Sequence, residues 1–497
     1  MHGRILADTS FSFGFSGAGA PRREPERPFR VLVLADFSGS AAHDARDSLA
    51  TRQILRADID NIDSLMQRLD VRVPIPVGDR AYGVGIHTLD QLHPEELFAD
   101  LELFAALRNL RARLSDPSRF KEAADEIRSM LSPQTGSGPA SLPASSDPAG
   151  PGSEADDFSK LLSGEAVPAG ESRPAIADDL IRAVVGPHIV PAADPKQAEF
   201  VAALDKAIGA EMRAILRSDG FRAVETAWRS LHTLITRLET DETLTIDILD
   251  LSKAELEADL AGGPGASALA KLLLSDRVGD EPWSVICPIH RFGPGEHDAR
   301  TLRGLGAIGA AAGGPVIASI DPDVAGCASV AASPEPESWG EPDEAFQALR
   351  ATQEASWLML TTPRVMVRLP YGGATDPIDA FDFEEIEPEV LGTAQAHESY
   401  LWGPANVGVV ALLGERFSMQ GWGFDASAAG DFDTLPMHAL PDGRVTPSAE
   451  AYLGERAGAK LRSCGLIPVL SIKGRDAARF GAMQTINGNE PPIGSES

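Results

Sequence analysis

A glycine-rich hexapeptide is the pattern in this sequence that comes nearest to a cofactor site. Gly304, Gly306 and Gly309 give a GxGxxG motif between two apolar segments, PWSVICPI (282–289) and GPVIASID (314–321). In a dinucleotide-binding unit the glycines follow the first strand directly, so that the pyrophosphate meets a helix N-terminus. Here about fourteen residues separate the first segment from the first glycine. The motif therefore predicts the interior of a closely packed helix, and a nucleotide-binding oxidoreductase that uses these glycines stays an alternative.

Cysteine, histidine and acidic side chains suggest other chemistry. Cys287, His290 and His297 have the spacing C-x2-H-x6-H, but a zinc site needs three or four converging ligands and no second pair follows. The acidic run FDFEEIEPE (381–389) predicts a solvated face, because carboxylates do acid–base work when buried opposite each other. His232, among apolar helix residues, predicts a hydrogen-bonded core side chain. Since P-loop, GxSxG and HExxH motifs are also absent from the sequence, we predict no catalytic residue, no metal, no cofactor and no enzymatic activity.

Apolar strands and amphipathic helices alternate along the chain. FRVLVLADFSG (29–39) and TLTIDILDLS (243–252) predict buried strands. One helix is predicted to begin at Pro94, with Leu101 and Leu107 on the same face. This alternation predicts a mixed α/β (α+β) fold.

The chain divides into two globular parts around a linker. The first part is residues 1–131, with an N-terminal strand arm at 1–28, and the second part is residues 178–497, with a C-terminal strand and tail at 465–497. Between them, residues 132–177 are dense in Ser, Pro, Gly, Ala and Asp. Such a composition buries too little apolar surface to offset the entropy lost on ordering, so it predicts a flexible linker.

The arm has an alternating aromatic pattern, SFSFGFS, that is typical of a strand with one apolar face. A lone strand cannot satisfy its own backbone groups, so it needs a partner sheet. Phe11, Phe13 and Phe15 are therefore candidates for adding a strand to the sheet of a neighbouring molecule. An edge strand within the same molecule remains open.

Composition restricts the partners and the compartment. The 497 residues carry a formal net charge of -29, which disfavours binding to nucleic acid or to an anionic membrane. No apolar run approaches the roughly 20 residues that span a bilayer. The three cysteines are widely spaced and form no CxxC pair. We therefore expect a cytoplasmic protein with reduced thiols and without membrane insertion.

Five large or charged residues stand beside apolar runs in the second part. Trp228 and Trp402 predict core or interface anchors. Arg229, Arg364 and Arg368 each flank an apolar run. A buried arginine needs a carboxylate partner, so internal ion pairs are expected at these positions.

Six segments of the second part, which include these five residues, resemble in order the large sheath subunit of bacterial type VI secretion systems, called TssC or VipB. They are WRSLH (228–232), ETDETLTIDILDLSKAELEADL (239–260), LTTPRVMVRLPYG (360–372), FDFEE (381–385), YLWGPAN (400–406) and GLIPVLSIKGRDAARFGAMQT (465–485).

The first part resembles the small sheath subunit, TssB or VipA. The segments that carry this resemblance are PFRVLVLADFSG (28–39), RADIDNIDSLMQRLDVRV (56–73) and TLDQLHPEELFADLELFAALRNLRARL (88–114). The two subunits, normally separate chains, are fused here. The family's docking segment for the ClpV ATPase would have to lie inside the linker, at FSKLLSGEAV (158–167), which leaves docking of a ClpV-type ATPase open.

The resemblance implies a structural protomer of a contractile sheath, a homo-oligomer of stacked helical rings around a tube of Hcp protein, attached to baseplate proteins. It implies a tail-sheath-like fold in which the two fused halves form one intertwined body with extended N- and C-terminal arms. It also implies that the sheath contracts to drive protein translocation from the bacterial cytoplasm, while the subunit hydrolyses nothing. A sheath of another contractile machine, such as a phage tail, is the alternative within this class.

Overall fold

The computed structural model describes residues 27–43, 45–77, 80–131, 197–275 and 282–493. Within these ranges the chain is a mixed α/β protein with thirteen α-helices and fourteen β-strands, which confirms the predicted fold class. Residues 1–26 of the predicted arm, which include Phe11, Phe13 and Phe15, and the predicted linker lie outside the described residues. No helix in the described part is long and apolar enough to cross a membrane.

Most strands join one large mixed sheet, while β3 with β4 and β10 with β11 form separate antiparallel pairs. In chain order the strands are β1 (Phe29–Ala35), β2 (Leu55–Ala57), β3 (Arg72–Val77), β4 (Arg80–Gly85), β5 (Leu244–Asp250), β6 (Val285–Pro288), β7 (Arg291–Phe292), β8 (Val316–Ile320), β9 (Leu358–Thr362), β10 (Val365–Met366), β11 (Trp402–Gly403), β12 (Gly430–Phe432), β13 (Ile467–Ser471) and β14 (Ala478–Phe480).

Helices pack in the two hydrophobic cores on the two faces of the large sheet, and the first four belong to the first part of the chain. The helices are α1 (Ile62–Arg68), α2 (Pro94–Asp100), α3 (Ala105–Ser115), α4 (Phe120–Leu131), α5 (Gln197–Arg217), α6 (Asp219–Arg237), α7 (Lys253–Leu260), α8 (Ala268–Leu273), α9 (Glu296–Ala312), α10 (Glu344–Arg350), α11 (Ala394–Ser399), α12 (Asn406–Gln420) and α13 (Glu455–Ser463). Helix α7 begins with a capping box, because Ser252 accepts from the backbone N–H of Glu255 while the Glu255 carboxylate accepts from that of Ser252.

A helix begins at Pro94 as predicted, but the prediction of one continuous helix is wrong, because the chain breaks between α2 and α3. Leu101 has extended backbone angles, φ -69° and ψ 123°. The break allows Leu103, which would lie off the apolar face of a straight helix, to be buried as well. Arg108 compensates for the lost helical hydrogen bonds by donating to the carbonyl oxygens of Phe98 and Leu101.

Strand β1 of the first part is a central strand of the sheet formed by the second part. The strand order is β12-β14-β13-β9-β8-β6-β1-β5-β2. β1 pairs in parallel with β5 from Phe29 opposite Leu244 to Ala35 opposite Asp250, and with β6 on its other side. All seven residues of β1 are buried. The two parts therefore share one sheet, as expected for an intertwined body.

The two faces of β1 serve two different hydrophobic cores, because successive side chains of a strand point to opposite faces. Val31 and Val33 lie in the core that includes helices α5, α6 and α12. Leu32 and Leu34 lie in the core that includes α7, α8, α9 and α13. A parallel strand covered on both faces explains the unbroken apolar run FRVLVLA.

Strand order also defines a switch point. Along the chain the parallel strands follow as β1, β5, β6, β8, β9 and β13, but β5 and β6 lie on opposite sides of β1. The chain therefore leaves β1 towards one side of the sheet and, after β5, continues on the other side. In open α/β sheets a crevice forms at such a topological switch point, outside the carboxyl ends of the strands that adjoin it, here β1 and β6.

Candidate functional site

The described chain starts at the last two residues of the predicted arm, beside an aromatic cluster. The backbone carbonyl of Arg27 accepts a hydrogen bond from the Trp422 indole at 2.5 Å, and the Arg27 guanidinium lies 5.3 Å from the centre of that ring. The Phe29 ring lies 5.2 Å from the Phe417 ring and 5.7 Å from the Trp422 ring. These contacts fix the point where the chain enters the sheet, at the amino end of β1.

Trp228, in α6, holds the opposite end of β1. Its side chain is fully buried, and its indole N–H donates to the carbonyl oxygen of Phe37 at 2.8 Å. The two rings meet edge to face with centroids 5.1 Å apart. A tryptophan of the second part therefore positions the loop that follows the central strand of the first part.

Arg368 lies at the centre of a buried group of charges. Its Nε donates to Glu225 at 2.7 Å and its Nη1 to Glu385 at 2.6 Å. Its Nη2 donates to both glutamates, at 3.2 and 3.1 Å, and its Nη1 also donates to the carbonyl oxygen of Leu369 at 3.0 Å. The fork of N–H groups thus has acceptors all round, which is the condition for holding a charged guanidinium in a protein interior.

Arg229 and Tyr371 complete this group. Arg229 donates to Glu225 at 2.8 Å and to the Tyr371 hydroxyl at 2.8 Å. The backbone N–H of Tyr371 donates to Glu385 at 2.9 Å, and the Arg368 guanidinium lies 4.0 Å from the Tyr371 ring centre. Two arginines thus face two glutamates. We call these five residues the Arg368 network.

The electrostatics of the Arg368 network follow from burial and pairing. Burial alone raises the pKa of Glu225, but Arg368 and Arg229 outweigh that effect and hold it below its usual value. Burial raises the pKa of the Tyr371 hydroxyl well above its usual value. Glu225 therefore stays ionised and Tyr371 stays neutral near pH 7, as expected for structural ion pairs between Glu225 and the two arginines.

Glu385 corrects the prediction for the run 381–389. That run was expected to be a solvated face, yet Glu385 is buried in the Arg368 network and Phe381, Phe383 and Ile386 are buried too. Residues 381, 383 and 385 alternate inward and Ile386 follows them, so the acidic composition of the run does not predict which of its residues are buried.

Arg364 and Trp402 lie in a different group. The Arg364 side chain donates to Glu450 at 2.5 Å and its backbone N–H to the same carboxylate at 3.0 Å. Burial raises the pKa of Glu450, but hydrogen bonds from His397 and Arg364 lower it to about 2. The Trp402 indole donates to the carbonyl oxygen of His397 at 2.8 Å, which joins it to the same group.

A third group joins the two parts, and the sequence analysis missed it. Arg46 donates to Glu255 at 2.6 Å and to Asp250. Arg52 donates to Glu255 and, at 2.8 Å, to the carbonyl oxygen of Asp250. Burial raises the pKa of Glu255, but hydrogen bonds from Arg52 and Ser252, with Arg46 nearby, lower it to about 2. We call Arg46, Arg52, Asp250 and Glu255 the Arg46–Arg52 network.

A signal for the Arg46–Arg52 network exists in the sequence. Asp36 follows β1 directly and Asp250 is the last residue of β5, and carboxyl ends of parallel strands meet at one edge of a sheet. Two acids at that edge predict a cationic partner. What the sequence does not give is that β1 and β5, more than 200 residues apart, are neighbours.

The GxGxxG glycines lie inside helix α9, as predicted. A Cβ atom added at Gly304 would lie 3.0 Å from the Leu260 side chain. One added at Gly306 would lie 2.7 Å from the carbonyl oxygen of Glu354, and one added at Gly309 would lie 2.8 Å from the carbonyl oxygen of Gly314. These contacts are with the protein's own neighbouring elements. The glycines therefore serve close packing, and they do not form the turn that binds a pyrophosphate.

Cys287, His290 and His297 do not come together. The described residues hold no group of side chains arranged for a metal ion. Cys287 is buried in β6 and accepts from Asn406 at 3.3 Å, and His297 pairs with Glu257 at 2.9 Å. His232, predicted as a hydrogen-bonded core residue, is half-buried, and burial lowers its pKa.

Comparison with known proteins gives matches along most of the chain. Residues 198–487 match the family model VipB, described as EvpB/VC_A0108, tail sheath N-terminal domain. Residues 17–134 match a second family model, described as type VI secretion system, VipA, VC_A0107 or Hcp2. The chain is also similar to the type VI secretion system sheath protein TssC1 of Pseudomonas aeruginosa, with 30% identity over 306 residues that cover 58% of this chain and 60% of that protein.

These matches confirm the predicted resemblance, with a small-subunit region followed by a large-subunit region in one chain. The aligned region spans about 60% of the length of TssC1. Since the VipB model matches more than half of the residues, this chain belongs to the VipB family of type VI secretion tail sheath proteins.

Proposed function

We propose that this chain is the structural protomer of a type VI secretion contractile sheath and that it supplies both sheath subunits at once. The observation that carries the proposal is the place of β1: a strand from the VipA-matching region lies between β5 and β6 of the VipB-matching region. A sheath built from two separate proteins needs them in equal number, and one chain with a shared sheet meets that need by covalent linkage.

The physical task of such a protomer is to transmit force without unfolding. A central parallel strand with hydrogen bonds on both sides, covered by two hydrophobic cores, resists shear because many bonds must break together. The Arg368 network fixes α6 to the segment that contains Glu385. We infer that strain stored between protomers drives contraction, and that the subunit hydrolyses nothing.

The assembly arm is the proposed contact between protomers. Phe11, Phe13 and Phe15 would line one face of a strand that adds to the sheet of a neighbouring protomer. The anchoring of Arg27 on Trp422 supports this idea, because it fixes the chain at the amino end of the central strand β1, directly after the arm. We further propose that residues 1–131 and 178–497 act as the two sheath-subunit regions, with residues 132–177 as their linker.

The partners follow from the same proposal. A helical homo-oligomer would surround a tube of Hcp protein and end at baseplate proteins, in the bacterial cytoplasm. The chain's net charge of -29 predicts that this assembly depends on salt, because like-charged protomers repel each other at low ionic strength.

The proposed arm is tested by a double substitution, Phe11→Asp with Phe13→Asp. Two carboxylates on the apolar face of the strand should prevent its burial against a neighbour, so the variant should fold but stay in the supernatant of a pelleting assay that sediments the unmodified assembly. Met419→Asp is the matched control, since Met419 is 72% exposed within the described chain and its change should leave pelleting intact. Pelleting of the double variant at the unmodified level would refute the arm.

A further inference from the structure

A cavity of about 360 Å³ lies at the carboxyl edge of the parallel sheet. Its floor is formed at the carboxyl ends of three strands: Asp36 follows β1, His290 follows β6, and Ser319 lies near the end of β8. Its wall includes Arg222 from α6 and Trp402 from β11. The volume is within the range of small-molecule sites, roughly 300–1,000 Å³.

The position of this cavity coincides with the switch point of the sheet. The chain leaves β1 by helices that pack on one face and leaves β6 by α9, which packs on the other face. The two loops diverge, and the crevice between them is where open α/β sheets bind their ligands. This argument depends on strand order alone and is independent of the glycine motif in α9.

Arg222 is a cation in this cavity that forms no ion pair within the described residues, and the carboxylates of Glu385 and Glu225 act on it only at longer range. Its Nη2 donates to the backbone carbonyl oxygens of Glu398, at 3.1 Å, and Tyr400, and no ion pair among the described residues includes it. Its Nε and Nη1 make no hydrogen bond within the described chain. A half-buried guanidinium with unused donors favours an anion, because Arg presents N–H groups that suit carboxylate and phosphate oxygens.

His290 is the second unsatisfied group. Its side chain is 6% exposed, and its Nε2 has no hydrogen-bond partner in the described residues. Burial, with a smaller contribution from Lys253, lowers the pKa of His290 to about 4, so the ring is neutral at physiological pH and carries one N–H donor. Buried polar atoms nearly always have partners, and a ligand in the adjoining cavity would supply one.

Four acidic residues also line the cavity, but so do Lys253, Arg291 and Arg364. Each of those three cations already has a carboxylate partner, which leaves Arg222 available to an anion. Asp36 accepts from Ser40 at 2.8 and 2.6 Å. Asp321 accepts from Arg291 at 2.8 and 3.0 Å. The remaining two, Asp219 and Glu398, are exposed at the rim.

We propose that this cavity binds a small oxyanion, a phosphate or carboxylate group of a metabolite, through Arg222 and His290. Both ligating residues belong to the second part, where Arg222 lies in α6 and His290 follows β6. Binding would stabilise the folded state by mass action.

Isothermal titration calorimetry of the full chain tests the site, with inorganic phosphate and succinate as probes in buffers of equal ionic strength. We expect saturable binding of at least one probe, weakened at least about tenfold in Arg222→Gln because charge-assisted hydrogen bonds are lost. Arg456→Gln is the control, since Arg456 is 73% exposed and does not line the cavity, and this variant should bind as the unmodified chain does.

The two probes separate the possible ligands: phosphate alone indicates a phosphate ester, and succinate alone indicates a carboxylate. Binding of neither probe, or equal binding by Arg222→Gln and Arg456→Gln, overturns the proposal. If Arg222→Gln does not fold, Arg222→Lys takes its place, because it keeps the charge but not the donors at the guanidinium positions. Undiminished binding by that variant counts against Arg222 as the ligand.

Discussion

The Arg368 network and the Arg46–Arg52 network are both built from arginine–carboxylate ion pairs, but they serve different purposes. In the first, Arg368 and Glu225 are 8% and 0% exposed, and every partner belongs to the second part of the chain. In the second, the exposed fractions of Arg52, Asp250, Arg46 and Glu255 are 9%, 11%, 13% and 30%, and the arginines come from the first part while the acids come from the second. One network therefore sets the internal geometry of a half, and the other joins the two halves.

The difference in burial predicts a difference in the unfolding free energy that is lost when one partner of an ion pair is removed. Removing one partner from a fully buried pair leaves an uncompensated charge, which water cannot reach. Removing a partner at the edge of the sheet leaves a charge that water can solvate. The two networks should therefore respond differently to mutation, to salt and to pH.

The largest effect is expected for Arg368→Met. The substitution keeps much of the side-chain volume but leaves Glu225 and Glu385 facing each other, so we expect a loss of about 3–5 kcal/mol of unfolding free energy. Urea denaturation followed by circular dichroism measures it. Arg456→Met, at an exposed pair, should cost about 0–1 kcal/mol. Equal midpoints for the two variants would contradict the difference drawn between buried and exposed pairs.

A smaller effect is expected for Arg46→Gln combined with Arg52→Gln. Losing hydrogen bonds to partly exposed acids should cost about 1–3 kcal/mol, and the loss should shrink as salt rises. The sharpest measurement uses a protease site placed within residues 132–177. After cleavage the halves should stay together through β1, and the double variant should release them at lower urea. Separation of the cleaved halves in native buffer would refute the shared sheet.

A third effect is the response to acid. The pKa of Glu255 is lowered to about 2 in the folded state, against an ordinary value of 4.5. A lowered pKa contributes stability above pH 4.5 and loses it as the pH falls from 4.5 towards 2. Glu255→Gln should therefore be less stable than the parent at pH 7, and the gap should narrow between pH 4.5 and 2. Thermal melts across that range measure the gap, and a constant gap would contradict the assigned pairing.

Sequence patterns predicted what depends on near neighbours. The buried strand β1, the helix around Gly304–Gly309 and the α/β class all follow from local periodicity and composition. The break at Leu101 did not follow, because the burial of Leu103 is decided by tertiary packing rather than by helical spacing. The carboxylate partners of the arginines in both networks were likewise not predicted, because they depend on tertiary packing and not on sequence spacing.

Glu385 and the Arg46–Arg52 network show where local reasoning ends. Glu385 lies in an acidic run that reads as solvated, and only its pairing with Arg368 explains its burial. Arg46 meets Asp250 across 204 positions of sequence. Such contacts can be predicted only when the strand order is known. In this chain that order depends on one strand of the first part, β1, entering the sheet of the second. The family resemblance predicted that the halves intertwine, while the residues alone did not.

Electron microscopy of the purified full-length chain tests the central claim most directly, namely that one polypeptide is a complete sheath protomer. We predict tubular filaments or cogwheel-like rings with a hollow centre, formed without a second sheath protein. Single, separate particles of one chain at all salt concentrations, with β1 still protected from hydrogen exchange, would contradict the claim, because they would show a folded body that does not assemble.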